Sequence, residues 1–228
     1  MFYFDWTVLL MIPGLLLGMW AQYKVSSSFQ KYQRVLSRSG YTAEDVARML
    51  LNRNNCDSVG IQKTAGNLTD HYDPRTNVLR LSSSVYGSSS VAAIGVAAHE
   101  CGHAMQKNEG YAPLKLRSLL VPVVNLGSNL YFPVFLLGIV FSWEPLTYIG
   151  IACFALTLLF ALVTLPVEFN ASSRALRALR NGGYLGEEEL RGAKAVLDAA
   201  ALTYVASAIS SLLQLLRLLI IARRNDRD

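Results

Sequence analysis

Charged residues are scarce in this chain and are missing from two long stretches. Asp, Glu, Lys and Arg together make up 16% of the 228 residues, while 52% are hydrophobic. Residues 118–143 and 145–167 contain no charged side chain. Each stretch exceeds the ~20 residues that a helix needs to cross a bilayer. The composition therefore argues against a simple soluble domain and predicts two adjacent membrane spans, joined by the short polar break Ser142–Pro145.

Cysteine and histidine are equally scarce. The chain has three cysteines, Cys56, Cys101 and Cys153, and this odd, scattered set argues against a disulfide framework and fits a reducing cytoplasm. The formal net charge of +5 is explained by basic residues that flank the hydrophobic stretches. No nucleic-acid-binding motif accompanies that charge, so we expect no nucleic-acid partner.

Two further hydrophobic segments lie at the ends of the chain. Trp6–Tyr23 is preceded by no basic stretch and followed by no convincing cleavage site, so it predicts an uncleaved anchor rather than a signal peptide. Ala199–Ala222 contains several polar residues. It could span the membrane, lie at its surface or pack beneath a catalytic unit, and the basic tail after it argues against a full crossing.

Basic residues flank the predicted spans on the same side of the membrane. They follow the first span, precede the second and follow the third, whereas the loop at 142–145 contains only Glu144. Because cytoplasmic loops are enriched in Lys and Arg, residues 24–117 and 168–194 are predicted to face the cytoplasm. The protein is thus expected in the plasma membrane, as a multi-pass protein.

This reasoning divides the chain into four parts and predicts a mostly α fold with a small β element. The parts are 1–23, an N-terminal membrane anchor; 24–117, a cytoplasmic catalytic segment; 118–167, a two-span membrane hairpin; and 168–228, a helix followed by a C-terminal hydrophobic helix. Within the cytoplasmic segment, Thr42 is expected to cap a helix that reaches about Asn52. Gly60–Ala65 is a weak strand or loop, and Val78–Ser82 alternates like a short strand.

The sharpest pattern is His99-Glu100-x-x-His103, in a stretch rich in small apolar residues. Positions i and i+4 share one face of a helix, so both imidazoles can bind one zinc ion. Glu100 is rotated by about 100° from His99, which suits a group that reaches a zinc-bound water rather than the metal. The motif predicts a zinc hydrolase with Glu100 as its catalytic base.

A third ligand is needed, and Glu168 is the first choice. It ends an uncharged span on the predicted cytoplasmic side, where an unpaired carboxylate would be costly. The small residues Ala171, Ser172 and Ala175 would let its helix approach the metal helix. Asp198 is the second choice, and the alternative for Glu168 is an ordinary interfacial carboxylate.

Four segments carry a resemblance to a known family. They are LTDHYDPRTNVLRLS (68–82), VAAHECGHAMQ (96–106), LPVEFNASSRAL (165–176) and ALTYVASA (201–208). With these segments the chain resembles the YugP-type, or Zn_peptidase_2, neutral zinc metallopeptidases, and more distantly the HtpX-like and CAAX prenyl protease clan. The resemblance implies a gluzincin-like fold, one zinc ion and peptide-bond hydrolysis at the membrane surface.

The resemblance also directs attention to particular residues. In the distant clan an Asp follows the ligand Glu by four residues, and here that position is Ser172, so Asn170 and Ser172 are candidates to orient the ligands. The resemblance places the substrate-binding edge at Val78–Ser82, which is therefore predicted to be an edge strand that pairs with an extended peptide. Candidate donors to the reacting oxygen are His71, Tyr72 and Tyr204.

The predicted function is that of a membrane-embedded zinc metalloendopeptidase. It would hydrolyse peptides or membrane proteins at the cytoplasmic surface of the bilayer, with zinc-activated water and Glu100 as general base. A zinc-bound but silent scaffold or chaperone-like protein is the alternative, although it would not need Glu100. A metal transporter is disfavoured because the two inner spans contain no His, Asp or Glu. A plain membrane protein with an accidental motif is the third alternative, and metal analysis by mass spectrometry would separate it from a zinc protein. The sequence gives no oligomeric state.

Overall fold

Helices dominate the computed structural model, which describes residues 5–225. After a 3₁₀ turn at Trp6–Leu10 the elements are α1 (Met11–Gln33), α2 (Ala43–Arg53), β1 (Gly60–Thr64), β2 (His71–Asp73), β3 (Val78–Ser82), α3 (Val91–Asn108), α4 (Ala112–Val140), α5 (Glu144–Gly182) and α6 (Glu187–Asn225). The predicted mostly α fold with a small β element is therefore confirmed.

The chain folds into two compact units. The apolar unit contains residues 5–21, 116–165 and 202–225, and the sheet unit contains residues 22–115 and 166–201. Within the apolar unit, Arg217 pairs with Asp5 at 3.1 Å, so a charge on α6 is neutralised there. The breaks that sequence predicts at 23/24, 117/118 and 167/168 lie two residues from three of the unit boundaries.

Among residues 5–225, four helical stretches are long and apolar enough to cross a membrane, judged by length and composition. They are Trp6–Gln33, Ala112–Val140, Glu144–Gly182 and Glu187–Arg224. The predicted break between the inner two is present, because α4 ends at Val140 and α5 begins at Glu144. For the fourth segment, Ala199–Ala222, the sequence did not decide between a span, a surface helix and a packed helix. It belongs to one continuous 39-residue helix, α6, which meets the same length and composition criteria as the other three.

Helix α2 begins where its sequence predicts. The Thr42 hydroxyl accepts a hydrogen bond from the Asp45 N–H, and the Asp45 carboxylate accepts one from the Thr42 N–H. This reciprocal pair satisfies two backbone donors that the first helical turn leaves without partners. The apolar face of the helix, with Val46, Leu50 and Leu51, is buried in the core of the sheet unit.

The sheet has three strands in the order β1-β3-β2. Strand β3 pairs in parallel with β1 and antiparallel with β2, with Leu79 opposite both Ile61 and Tyr72. The prediction that Val78–Ser82 is an edge strand is therefore wrong, because both of its edges are already paired. Alternation of apolar and polar residues indicates a buried face but not the number of neighbours. For Gly60–Ala65, where the sequence allowed a strand or a loop, the structure has a strand at Gly60–Thr64.

Helix α3 runs through the core of the sheet unit. The Ser90 hydroxyl accepts a hydrogen bond from the Ala93 N–H at 3.2 Å and so caps the start of this helix. Gly102 faces α5 so closely that a Cβ atom there would lie 2.5 Å from the Ala171 carbonyl oxygen. The fully buried Cys101 thiol contacts the Ala47 carbonyl on α2 at 3.7 Å. Small residues thus let α3 pack tightly between its neighbours.

Candidate metal centre

Three predicted ligands converge within the sheet unit. His99 and His103 lie one turn apart on α3, and the Nε2 atoms of their rings lie 3.3 Å and 3.5 Å from Oε2 of Glu168 on α5. The two rings are almost perpendicular, with centroids 4.8 Å apart. Glu168 and His103 are buried and His99 is half-buried. The structure therefore brings together residues that are 65 or more positions apart in sequence.

The donor atoms match what a zinc ion requires. Two imidazole nitrogens and one carboxylate are a recurrent ligand set of catalytic zinc sites, which keep a fourth position open. Ligands at ~2.0–2.1 Å in tetrahedral geometry lie about 3.3–3.4 Å from one another. The 3.3 Å and 3.5 Å separations from the glutamate oxygen agree with that value. The residues present thus fit a zinc ion.

Glu100 directly follows His99 on α3 and lies beside this cluster. Its side chain is buried, and its Oε2 accepts a hydrogen bond from the Tyr72 backbone N–H at 2.9 Å. Burial raises the pKa of the Glu100 carboxyl, while the neighbouring imidazoles oppose that shift. A carboxyl whose pKa is raised toward neutrality is suited to accept and return a proton.

Both imidazoles have a polar partner at Nδ1. The His99 Nδ1 lies 3.1 Å from the Ser172 hydroxyl, and the His103 Nδ1 lies 3.0 Å from Oε1 of Gln106. Because Nδ1 is engaged in these contacts, the Nε2 atom of each ring is the one that faces Glu168. Ser172, a candidate from sequence, therefore contacts a predicted ligand, whereas Asn170 contacts Gln106 instead.

Gln106 contacts a predicted ligand but was not among the candidates that the sequence suggested. It is one of the few polar residues among the apolar ones of α3, and it follows His103 by three residues, so the two share a helix face. Its side chain is fully buried. A fully buried amide must find partners, and burial cannot be deduced from one glutamine in a helix. The i+3 spacing after a ligand histidine was the available signal.

The remaining candidates lie elsewhere or are engaged otherwise. Asp198 is exposed and pairs with Lys194, so its choice as a ligand is wrong. The exposed His71 ring contacts the Thr69 carbonyl oxygen through Nδ1. The Tyr72 hydroxyl donates to Asn77 at 2.6 Å, and only its backbone N–H reaches Glu100. Tyr204 belongs to the apolar unit, and its role stays a prediction.

The geometry is typical of a zinc-dependent hydrolase, and comparison with known proteins agrees. Residues 7–223 match the family described as "Putative neutral zinc metallopeptidase". The chain is 46% identical over 221 residues to "Putative membrane protease YugP" of Bacillus subtilis (strain 168). The aligned residues cover 97% of this chain and 98% of that protein. No solved structure matches. The chain therefore belongs to this metallopeptidase family, and the resemblance found in its sequence is confirmed.

Proposed function

We propose that this protein is a multi-pass membrane zinc metalloendopeptidase with a gluzincin-like site that faces the cytoplasm. The observation that carries the proposal is the convergence of His99, His103 and Glu168, with the Glu100 carboxylate beside them. The family match and the membrane-protease relative support a hydrolase. Peptides and membrane proteins are the substrate class that such a site accepts.

The two imidazoles and Glu168 would hold one zinc ion. A zinc ion there supplies a Lewis acid and lowers the pKa of a bound water toward ~7. Glu100 acts as the base: the Tyr72 N–H holds its Oε2, and Oε1 is left to take the proton of the attacking water. The same carboxyl then delivers that proton to the leaving amine as the peptide bond breaks.

The experiment that tests the proposal is Glu100→Gln. The amide keeps the shape of the carboxylate but cannot take a proton, so peptide hydrolysis should fall by ~10²–10⁴-fold while zinc stays bound. Purified protein in detergent, with zinc counted by mass spectrometry and turnover followed on a fluorogenic peptide, gives both readouts. A chelator should abolish wild-type turnover, and added zinc should restore it.

Asp198→Asn is the matched control for that substitution. It makes the same carboxylate-to-amide change at an exposed position of the sheet unit. Turnover should stay near that of the wild type. Activity of Glu100→Gln within a few-fold of wild type would contradict the role of Glu100 as base. Wild-type protein that binds zinc but cleaves no member of a peptide library would favour a silent scaffold.

The proposed orientation can be tested with cysteines introduced at exposed positions, because the native Cys56 is unsuitable as a reporter. Cys56 is only 3% exposed, so a thiol reagent would fail to reach it from either side. Asn67 and Glu144 are both exposed; Asn67 belongs to the sheet unit, and Glu144 lies within the 142–145 break of the apolar unit. In intact cells an impermeant reagent should label Glu144→Cys and spare Asn67→Cys until the membrane is permeabilised. The reverse pattern would place the site outside.

A further inference from the structure

Gln106 has every end of its side-chain amide engaged inside the core. Its Oε1 lies 3.0 Å from Nδ1 of His103. Its Nε2 donates to the Val167 carbonyl oxygen at 2.8 Å and to Oδ1 of Asn170 at 3.0 Å. Gln106 is 0% exposed, so bulk solvent does not reach its amide. The amide therefore connects α3, through a predicted ligand, to the α5 segment that supplies Glu168.

The direction of this amide is determined by its partners. The Val167 carbonyl can only accept a hydrogen bond, so the amide nitrogen of Gln106 must face it. The Asn170 Oδ1 also receives the Nε–H of Arg174 at 2.6 Å, and arginine only donates, so this oxygen too is an acceptor. Oε1 of Gln106 must then point toward His103.

The tautomer of His103 follows from that direction. An amide oxygen can only accept, so the His103 Nδ1 must carry the proton. In the neutral ring Nε2 then has the lone pair, and Nε2 is the atom that lies 3.5 Å from Glu168. A ring with the opposite tautomer would place two acceptors, Nδ1 and the Gln106 oxygen, 3.0 Å apart inside the core, which is costly. The Nδ1–H ring instead turns its Nε2 lone pair toward the Glu168 oxygen at the longer distance of 3.5 Å.

We propose that Gln106 is a positioning residue that fixes the Nδ1–H tautomer of His103 before any metal binds. The inference rests on the proposed metal site, since it explains how one ligand is made ready. The same side chain connects His103 to Val167, the neighbour of Glu168, and so it also fixes the separation of two ligands. Asn170, the other acceptor of the Gln106 amide, is in turn hydrogen-bonded by Arg174. Arg174 also pairs with Glu109 at 2.5 Å.

His99 differs in this respect. Its Nδ1 contacts the Ser172 hydroxyl at 3.1 Å, and a hydroxyl can donate or accept. The contact therefore suits either tautomer of His99. Of the two predicted ligand histidines, only His103 has its proton position dictated by a group with a single hydrogen-bonding role. This contrast supplies an internal control for the experiment.

The test compares Gln106→Met, which keeps the length and volume of the side chain, with Gln106→Glu, which keeps an acceptor. Tautomers are read in metal-free protein from ¹⁵N shifts of labelled imidazoles, and with only three histidines a His71→Gln variant simplifies assignment. Wild type should show His103 as Nδ1–H. The methionine variant should lose that tautomer and bind zinc ~10–100-fold more weakly, measured against a competing chelator.

Gln106→Glu should keep the Nδ1–H tautomer and recover part of the zinc affinity, because its carboxylate still accepts from the ring. Ser172→Ala should leave the His103 signals in place. A folded methionine variant that retains Nδ1–H and binds zinc within threefold of wild type would overturn the inference. If that variant does not fold, the glutamate variant decides: Nε2–H with wild-type zinc affinity overturns it, and Nδ1–H supports it. The tautomer is read without zinc, so loss of hydrolysis alone would count against the proposed function only.

Discussion

The two helices that form the candidate metal centre, α3 and α5, are buried to different extents. In α3, 14 of 18 residues are buried, including Glu100, His103 and Gln106. The part of α5 in the sheet unit is buried along a single stripe, and Phe169, next to Glu168, is 50% exposed. The stripe contains Val167, Glu168, Ala171, Ala175 and Leu179. Helix α3 thus serves the core and the site at once, whereas α5 contributes through one face.

This difference indicates on which helix a substitution can change the candidate site without also changing the stability of the fold. A substitution on α3 changes core packing together with the site, because almost no position there is free of neighbours. A substitution on α5 can remove a site function while the exposed face and the fold stay as they were. The predictions below break or sharpen that contrast.

The largest effect is expected for Glu168→Ala. It removes one of three donor atoms from the centre, so zinc affinity should fall by ~10³-fold or more, and hydrolysis should be lost with the metal. Isothermal titration with zinc and a peptide assay measure both. Phe169→Ala, one residue along on the exposed side, should bind zinc as wild type does. Tight stoichiometric zinc with full activity in Glu168→Ala would mean that another carboxylate completes the site.

Gly102→Ala should come next. The added Cβ would lie 2.5 Å from the Ala171 carbonyl oxygen, so α3 and α5 must separate. We expect the free energy of unfolding to fall by ~1–3 kcal/mol, with weaker zinc binding because the ligands are on both helices. Chemical denaturation in detergent measures the first effect.

Gly18→Ala is the control, since nothing lies within 4 Å of a Cβ atom there. In the interior of α1 this change should stabilise by roughly 0.5–1 kcal/mol. Equal destabilisation by the two substitutions would show that helix composition, and not the approach of α3 to α5, sets the effect.

Ser172→Ala should have a smaller effect, confined to the metal. The hydroxyl contacts His99 at 3.1 Å without dictating its tautomer, so zinc affinity should fall by up to ~10-fold. The same chelator competition detects this loss. Ser173→Ala, on the exposed side of α5, should change nothing. A loss as large as that of Gln106→Met would contradict the contrast between the two histidines.

The smallest effect concerns the exposed end of the network. Arg174 holds the pKa of Glu109 below its usual value through a hydrogen bond. A lowered folded-state pKa stabilises above the unfolded-state pKa, and this contribution is lost as pH falls through the folded-state value. Because Glu109 is exposed, Glu109→Gln should cost about 0.5 kcal/mol of unfolding free energy at neutral pH and nothing in strong acid. In an Arg174→Gln background the cost should vanish; its persistence would refute the ion pair as the cause.

Sequence predicted those features whose partners are close along the chain. The Thr42 cap and the His99–His103 pair depend on residues within one helical turn, so their spacing is visible. Glu168, which the structure places beside the two histidines, could be selected from the sequence because a carboxylate at the end of an uncharged stretch is unusual. Gln106 was missed because its partner Val167 is 61 residues away and contributes a backbone carbonyl, which every residue has.

The sheet shows the same limit. The alternation of Val78–Ser82 indicates which face is buried, but the edge is decided by β2, a strand of only three residues. Three residues are too few for a period of two to be recognised. The order β1-β3-β2 is therefore a property of tertiary packing that no short pattern in this chain encodes.

The buried thiol of Cys101 has a pharmacological consequence. It follows Glu100 directly, yet it faces α2, and burial raises its pKa far above its usual value. Because the thiolate is the form that reacts with oxidants and alkylating agents, this cysteine stays inert in the folded protein. Covalent inhibitors aimed at thiols would therefore find Cys101 unreactive, although it directly follows the proposed base Glu100. For inhibitors of the candidate metal centre, metal-chelating groups are the alternative to thiol-reactive ones.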